Sequence, residues 1–251
     1  EQPVRHGHLD EARQLDPRHG GWSRRPKFPR PVVPALLLRY HRRTGDAEAL
    51  RQVVHTLRRM ATGGLFDQLG GGFHRYSTDD RWLVPHFEKM LYDQSQLVRV
   101  YVEAWQASGH DDLAFVARRT LNYVARELVD PKGGFHSATD ADSLTPDGHM
   151  AEGWCFTWTP AELAKVLGPE QAAVVGDWYG VTPAGNFEGR SVLTTWKSVP
   201  TVAARHGLDA AGLRAAVIAA DRKLLAARGK RPPPLLDDKV ITGWNGLMID
   251  A

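Results

Sequence analysis

Cysteine is nearly absent: Cys155 stands alone in 251 residues. One thiol excludes an internal disulfide and any Cys-x-x-Cys zinc or redox centre within these residues. It fits a reducing compartment, so a cytoplasmic location is the expectation. Long apolar runs are missing too. None approaches the ~18 to 20 residues of a membrane span, so no membrane stands among the expected partners. Nor is there a large excess of charge of one sign, since 32 Lys and Arg against 29 Asp and Glu leave +3. With 42% hydrophobic residues the chain has material for a sizeable core, which excludes whole-chain disorder. Its length suits one to two domains of ~150 residues.

The small net charge is unevenly spread. Residues 1–60 carry 13 basic and 6 acidic side chains, and residues 61–160 carry 8 and 14. A basic first segment can bind nucleic acid or phosphate. However, Arg39, Arg42, Arg43, Arg51, Arg58 and Arg59 fall between apolar stripe positions, which is the pattern of a solvated helix face. No nucleic-acid motif accompanies them, and no nucleic-acid partner is expected.

What is abundant is helical periodicity. After Asp46 the residues Ala47, Leu50, Val53, Val54, Leu57 and Met60 recur at spacings of three and four. Similar stripes follow Asp93 (Leu97 to Trp105), Asp111 (Leu113 to Leu128) and Asp209 (Leu213 to Leu224). A further helix is expected from about Val32 to Arg43. Thr159-Pro160-Ala161-Glu162 reads as a capping box that opens another. Trp154 to Trp158 alternates with period two and reads as a short strand, as Ser191 to Thr194 does more weakly. The fold class is therefore all-α with small β embellishments.

Gly-Gly followed by a large apolar residue recurs at Gly20-Gly21-Trp22, Gly63-Gly64-Leu65, Gly71-Gly72-Phe73 and Gly133-Gly134-Phe135. Read as helix terminators, the aromatic cases at 20, 71 and 133 are spaced for helical hairpins. Arg231-Pro232-Pro233-Pro234 reads as an extended stop after a helix.

Chemistry concentrates between Thr62 and His86, where a connection of more than twenty residues shows no strong period. Such length in a helical domain points to function or disorder, and Phe66, Phe73, Tyr76 and Trp82 argue against disorder. The stretch carries Asp67, His74, Arg75, Asp79, Asp80 and Arg81, then runs into Pro85-His86-Phe87-Glu88-Lys89-Met90-Leu91-Tyr92-Asp93. If Pro85 opens a helix, His86, Lys89 and Asp93 share one face, and Glu88 and Tyr92 form a second stripe. Histidine moves protons near neutral pH and a tuned carboxylate acts as acid, base or nucleophile. A plain network of ion pairs at a helix start has the same residue types.

Three further clusters follow. His136 to Ser143 holds Asp140 and Asp142, but the calcium-loop register fails at Leu144 and Thr145. Gly185 to Arg190 is a glycine-bracketed turn. Asp237, Asp238, Trp244 and Asn245 are residue types that grip sugars, with hydroxyl acceptors beside an aromatic face. An acid cluster suited to a helix dipole fits the same residues. His74 and His86 lack the His-Glu-x-x-His spacing or cysteine partners of a zinc site, so no metal and no cofactor is expected.

These blocks also carry a resemblance. Gly-Gly-Trp-Ser-Arg-Arg-Pro-Lys-Phe-Pro, the run from Gly63 to Asp79, Trp82 to Asp93, Asp140-Ala-Asp-Ser, Gly-Asn-Phe-Glu-Gly, and Asp237-Asp238-Lys239 with Trp244-Asn245-Gly246 resemble the thioredoxin-domain-containing family of spermatogenesis-associated proteins. They follow in that family's order over about residues 20–250. The resemblance implies an N-terminal thioredoxin-like domain followed by an (α/α)6 toroid of the six-hairpin glycosidase-like class, distantly similar to N-acylglucosamine 2-epimerases. On that basis residues 1–20 are a basic lead-in and residues 21–251 a partial toroid, with about eight helices where six hairpins need twelve. Any redox centre of the thioredoxin-like domain falls on no residue of this chain. The stretch after Asp142 departs from the family, so Asp147 and Glu152 receive no site role.

The class places its cavity at inner-helix starts and long loops, which assigns His86, Glu88, His74 and Asp140 as catalytic candidates. Asp67, Arg75, Tyr76, Trp82, Lys89, Asp142, Asp237, Asp238, Trp244 and Asn245 become candidates for substrate binding. The implied activity is on a small-molecule carbohydrate. As an isomerase or epimerase, His86 or His74 takes the proton beside the carbonyl, Arg75 or Lys89 steadies the enediolate, and Trp82 or Trp244 holds the ring. As a hydrolase, paired carboxylates such as Glu88 with Asp140 act. The alternative is a non-catalytic glycan- or protein-binding module that serves the attached thioredoxin-like domain.

Overall fold

The apolar stripes form helices where the sequence predicts them. A computed structural model describes residues 14–23 and 25–251; of the 1–20 lead-in, residues 1–13 lie outside the described residues. The helices are α1 (Val32–Thr44), α2 (Ala47–Thr62), α3 (Leu91–Ser108), α4 (Asp111–Glu127), α5 (Pro160–Leu167), α6 (Pro169–Tyr179), α7 (Val199–Arg205), α8 (Ala210–Arg228) and α9 (Thr242–Asp250). Asp46 accepts from the Glu48 and Ala49 amides, Asp209 from that of Gly212, and Thr159 with Glu162 closes the capping box. Each satisfies amides that a helix start leaves without partners. α6 and α7 had no counterpart in the periodicity; α7 spans seven residues, too few to display one.

Consecutive helices pack as hairpins, α1 on α2, α3 on α4, α5 on α6 and α7 on α8, while α9 returns onto α3. This is a succession of helical hairpins, the all-α architecture with small β embellishments that the sequence predicts. The largest apolar cluster joins α1 to α4 through Leu37, Val53, Leu57, Met60, Leu97 and Tyr101. A second joins α5, α6 and α8 through Leu163, Val175, Ala220 and Leu224. No helix of the described residues is long and apolar enough to cross a membrane.

Among the described residues seven short strands tie the loops together. β1 (Tyr76–Ser77) pairs with β2 (Pro85–His86), and β5 (Asp142–Leu144) with β6 (Met150–Glu152). β4 (Ala138–Thr139) lies between β3 (Lys89–Met90) and β7 (Leu236–Asp237), all antiparallel.

Three local expectations are corrected. Pro85 opens no helix: residues 85–90 are extended and α3 begins at Leu91. Burial there alternates strictly, with Pro85, Phe87 and Lys89 inward and His86, Glu88 and Met90 less buried. That is a strand's period of two. Trp154 to Trp158 is a run of turns in which Trp158 alone bridges to Ser191, the one bridge made by Ser191 to Thr194. Gly153 (φ +68°) forces the turn, because a Cβ there would lie 2.3 Å from the Phe87 ring. Lastly, of the Gly-Gly pairs only Gly63 caps a helix. Gly71 and Gly72, both at φ +77°, instead let the loop pass against α4, where a Cβ on Gly72 would meet Tyr123 at 2.5 Å.

Candidate functional site

The long connection between α2 and α3 is ordered by its own polar side chains. Asp67 Oδ1 accepts from the Leu69 and Gly70 amides, and Gln94 brackets Phe73 with bonds to its amide and carbonyl, both 2.7 Å. Asp79 accepts from the amides of Arg81, Leu83 and Val84 and turns the chain into the β1–β2 hairpin. Trp82 sits fully buried at φ +67°, unusual for so large a residue, with its indole N–H donating to the His19 carbonyl at 2.9 Å.

Because residues 85–90 are extended, neighbouring side chains separate onto two faces. On the outer face the imidazole of His86 lies between two carboxylates. Nδ1 is 2.7 Å from Glu152 Oε1 and Nε2 is 3.1 Å from Glu88 Oε2. Arg75 donates to the same Glu88 oxygen at 2.9 Å, and the Tyr76 ring stacks on the imidazole at 5.1 Å. The β1–β2 register sets Tyr76 opposite His86, and the β5–β6 register sets Asp142 opposite Glu152. His86 and Glu88 are 27% exposed and Glu152 40% exposed, so the cluster is open to a ligand. Tyr92 meets Trp244 edge-on at 4.8 Å beside it. Burial pushes the Tyr92 hydroxyl up from its usual range. Beneath lies Asp93, whose carboxyl burial raises to about 7.

The inner face is a buried ion triad. Lys89 donates to Asp67 Oδ2 at 2.8 Å and to the Gly71 carbonyl at 2.9 Å, while Arg228 donates to Asp67 Oδ1 at 2.8 Å. Burial alone would raise Asp67, but the charges of Arg228 and Lys89 prevail and hold it well below the usual carboxylate range. Burial lowers Lys89 to about 8. His74 is 2% exposed, with Nδ1 2.8 Å from the Phe87 carbonyl, and burial lowers it to about 3, so the ring is neutral. Lys89, Thr139 and Leu236 stand opposite one another across β3, β4 and β7, and so share a face. That face lines a cavity of about 440 Å³.

The remaining candidates scatter. Asp140 is exposed and accepts from the Ala141 amide at 2.6 Å. Asp237 pairs with Lys239, and Asp238 is exposed. Asn245 is buried and clasps the Phe135 backbone, accepting from its amide at 2.8 Å and donating to its carbonyl at 3.0 Å. Sequence reasoning gave no role to Glu152, although an Asp147-Gly148 turn between two three-residue runs is a hairpin signal that would have placed it. It also missed Arg228, which reaches Asp67 from 161 residues away and leaves no local trace.

No family model matches the chain. Human spermatogenesis-associated protein 20 is 43% identical over 267 residues, an alignment that takes in 97% of this chain and 34% of that protein. The chain thus spans about a third of its curated relatives' length. Among solved structures it is similar to a sugar epimerase from a ruminal bacterium (14% identity, TM-score 0.47, 94% of this chain and 76% of that one). It is also similar to the cellobiose 2-epimerase of Bacillus thermoamylovorans (15% identity, TM-score 0.46, 69% of this chain and 50% of that one). At such identities no residue's role transfers. Over 97% of its own length the chain is thus similar to spermatogenesis-associated protein 20, at 43% identity to the human protein and 42% to the rat protein.

Proposed function

We propose that the outer face is a carbohydrate site that moves a proton on the open form of a reducing sugar, as an isomerase or epimerase does. The observation that carries this reading is His86 clamped between Glu152 and Glu88 and stacked on Tyr76. Glu152, at the shorter distance, holds the Nδ1 proton and steadies the imidazolium that forms when Nε2 accepts another. Nε2 becomes available when Glu88 swings toward Arg75, which already holds the same oxygen. The C–H bond beside the carbonyl then breaks, its proton goes to Nε2, and its electron pair forms an enediolate next to the Arg75 guanidinium. Return of that proton from Nε2 to the neighbouring carbon, with the hydroxyl proton passing to the former carbonyl oxygen, completes an isomerisation; its return to the same carbon after the enediolate turns its other face to Nε2 completes an epimerisation. Trp244 supplies an aromatic face for the sugar, while Tyr76 holds the imidazole in place by stacking on it. Lys89 and His74, both on the inner face, are left out of this chemistry.

The test is conversion of a panel of reducing sugars by the complete protein, with products separated chromatographically. His86→Gln is expected to abolish conversion with an unchanged denaturation midpoint. Release of new reducing ends from glycosides would instead favour hydrolysis by the carboxylates. One observation favours a second reading, a binding module serving a thioredoxin-like domain elsewhere in the protein: both ring nitrogens of His86 already face carboxylates. That reading expects sugar binding without conversion.

A further inference from the structure

The cavity under the three-stranded sheet takes no part in the chemistry proposed for His86, and its lining has a different character. Lys89, Arg126, Arg228 and Arg231 line it together with Tyr123 and Phe156. The positive charges are only partly matched. Lys89 and Arg228 share the single carboxylate of Asp67. Arg126 pairs with Glu127 and donates to the Gly70 carbonyl at 2.8 Å. Arg231 donates to the carbonyls of Trp154, Cys155 and Thr157 and lies 3.4 Å from Glu162, which Arg190 already holds at 2.8 Å. Five cations therefore meet three carboxylates, an excess of two positive charges at a partly buried wall.

Arg228 is 8% exposed, and among the described residues its guanidinium makes one hydrogen bond, to Asp67. Its other donors are left for the cavity. The Lys89 ammonium sits 4.2 Å from the centre of the Tyr123 ring. Buried charge without a partner is costly, and guanidinium forks match the planar and tetrahedral oxyanions in both shape and charge. A volume of about 440 Å³ suits a small molecule with one ring, and Tyr123 and Phe156 offer it aromatic walls.

We propose that this cavity binds a small phosphate monoester. The dianion carried by such a group near neutral pH answers the excess of two charges, which a carboxylate monoanion answers by half. Arg228 and Arg126 are the anchoring side chains, and the aromatic walls take the rest of the ligand. The assignment does not depend on the reading of the His86 face.

Isothermal titration of the complete protein tests it, with inorganic phosphate, glucose 6-phosphate, glucuronate and glucose as probes. Saturable binding of both phosphates is expected, tighter for glucose 6-phosphate, weaker by about tenfold for glucuronate, and absent for glucose at the same concentrations. Arg126→Gln, on a half-exposed side chain whose loss leaves the triad intact, is expected to weaken glucose 6-phosphate about tenfold at an unchanged denaturation midpoint. Cys155, which also lines the cavity, provides a check free of any substitution: saturating glucose 6-phosphate is expected to slow its modification by maleimide. No saturable phosphate binding, glucuronate binding as tightly as glucose 6-phosphate, or binding unchanged in Arg126→Gln with no protection of Cys155 would each overturn the proposal.

Discussion

Asp93 gives the sharpest expected link between the fold and pH. It stands in the first turn of α3, where a negative charge is ordinarily favoured. Burial overrides this. The residue is 6% exposed, its Oδ2 has no partner among the described residues, and its carboxyl is raised from 3.8 to about 7. Between those values the folded chain holds a proton that the unfolded chain has released. The stability that Asp93 contributes is therefore greatest below about pH 4, falls as pH rises, and stops falling above about pH 7. Three pKa units correspond to about 4 kcal/mol, of which about 3 kcal/mol is lost between pH 5 and pH 8. Asp93→Asn keeps the shape and removes the titration. Its amide lacks a partner where Oδ2 does, a cost of about 1–3 kcal/mol that does not change with pH. Urea denaturation of both proteins at pH 5 and pH 8 is the assay. The variant is expected to gain about 3 kcal/mol on wild type across that range. Parallel pH profiles would refute the reasoning.

Three other outcomes are expected. Asp67→Asn leaves Lys89 and Arg228 charged and buried without a counter-ion, so the denaturation midpoint is expected to drop by the equivalent of about 3–5 kcal/mol; a loss below about 1 kcal/mol would contradict the triad. Gly64→Ala puts a Cβ 2.1 Å from the Leu83 carbonyl oxygen, and backbone cannot yield as a side chain can. Thermal melts are expected to show a loss of about 1–3 kcal/mol. Cys155 is 6% exposed and burial pushes its thiol up, so iodoacetamide at pH 7 is expected to label it at least about tenfold more slowly than the unfolded chain. Equal rates would show the thiol to be open.

The helices were legible because each buries one face and so repeats at three and four residues; Leu50, Leu57 and Met60 are cases in point. The long loop was legible as a site because aromatic residues and paired charges do not sit together in disordered chain. Its geometry was not. Pro85 to Met90 alternates inside and outside, but the inward member at 89 is a lysine, which on a sequence reads as an outward residue. Its burial depends on Asp67, 22 residues back, whose other oxygen is held by Arg228 from α8. The clasp of Asn245 on Phe135 and the contact of Glu152 with His86 are likewise long-range, spanning 110 and 66 residues. Residue types announced the polar chemistry; only the folded loops distribute it to two faces.

The central claim is that the His86 face abstracts a proton from a sugar. Incubating the complete protein with reducing sugars in deuterium oxide and following proton NMR tests it most directly. The account predicts deuterium at the carbon beside the carbonyl of one sugar class, lost in His86→Gln. New anomeric signals without exchange, or no change in any sugar, would contradict it.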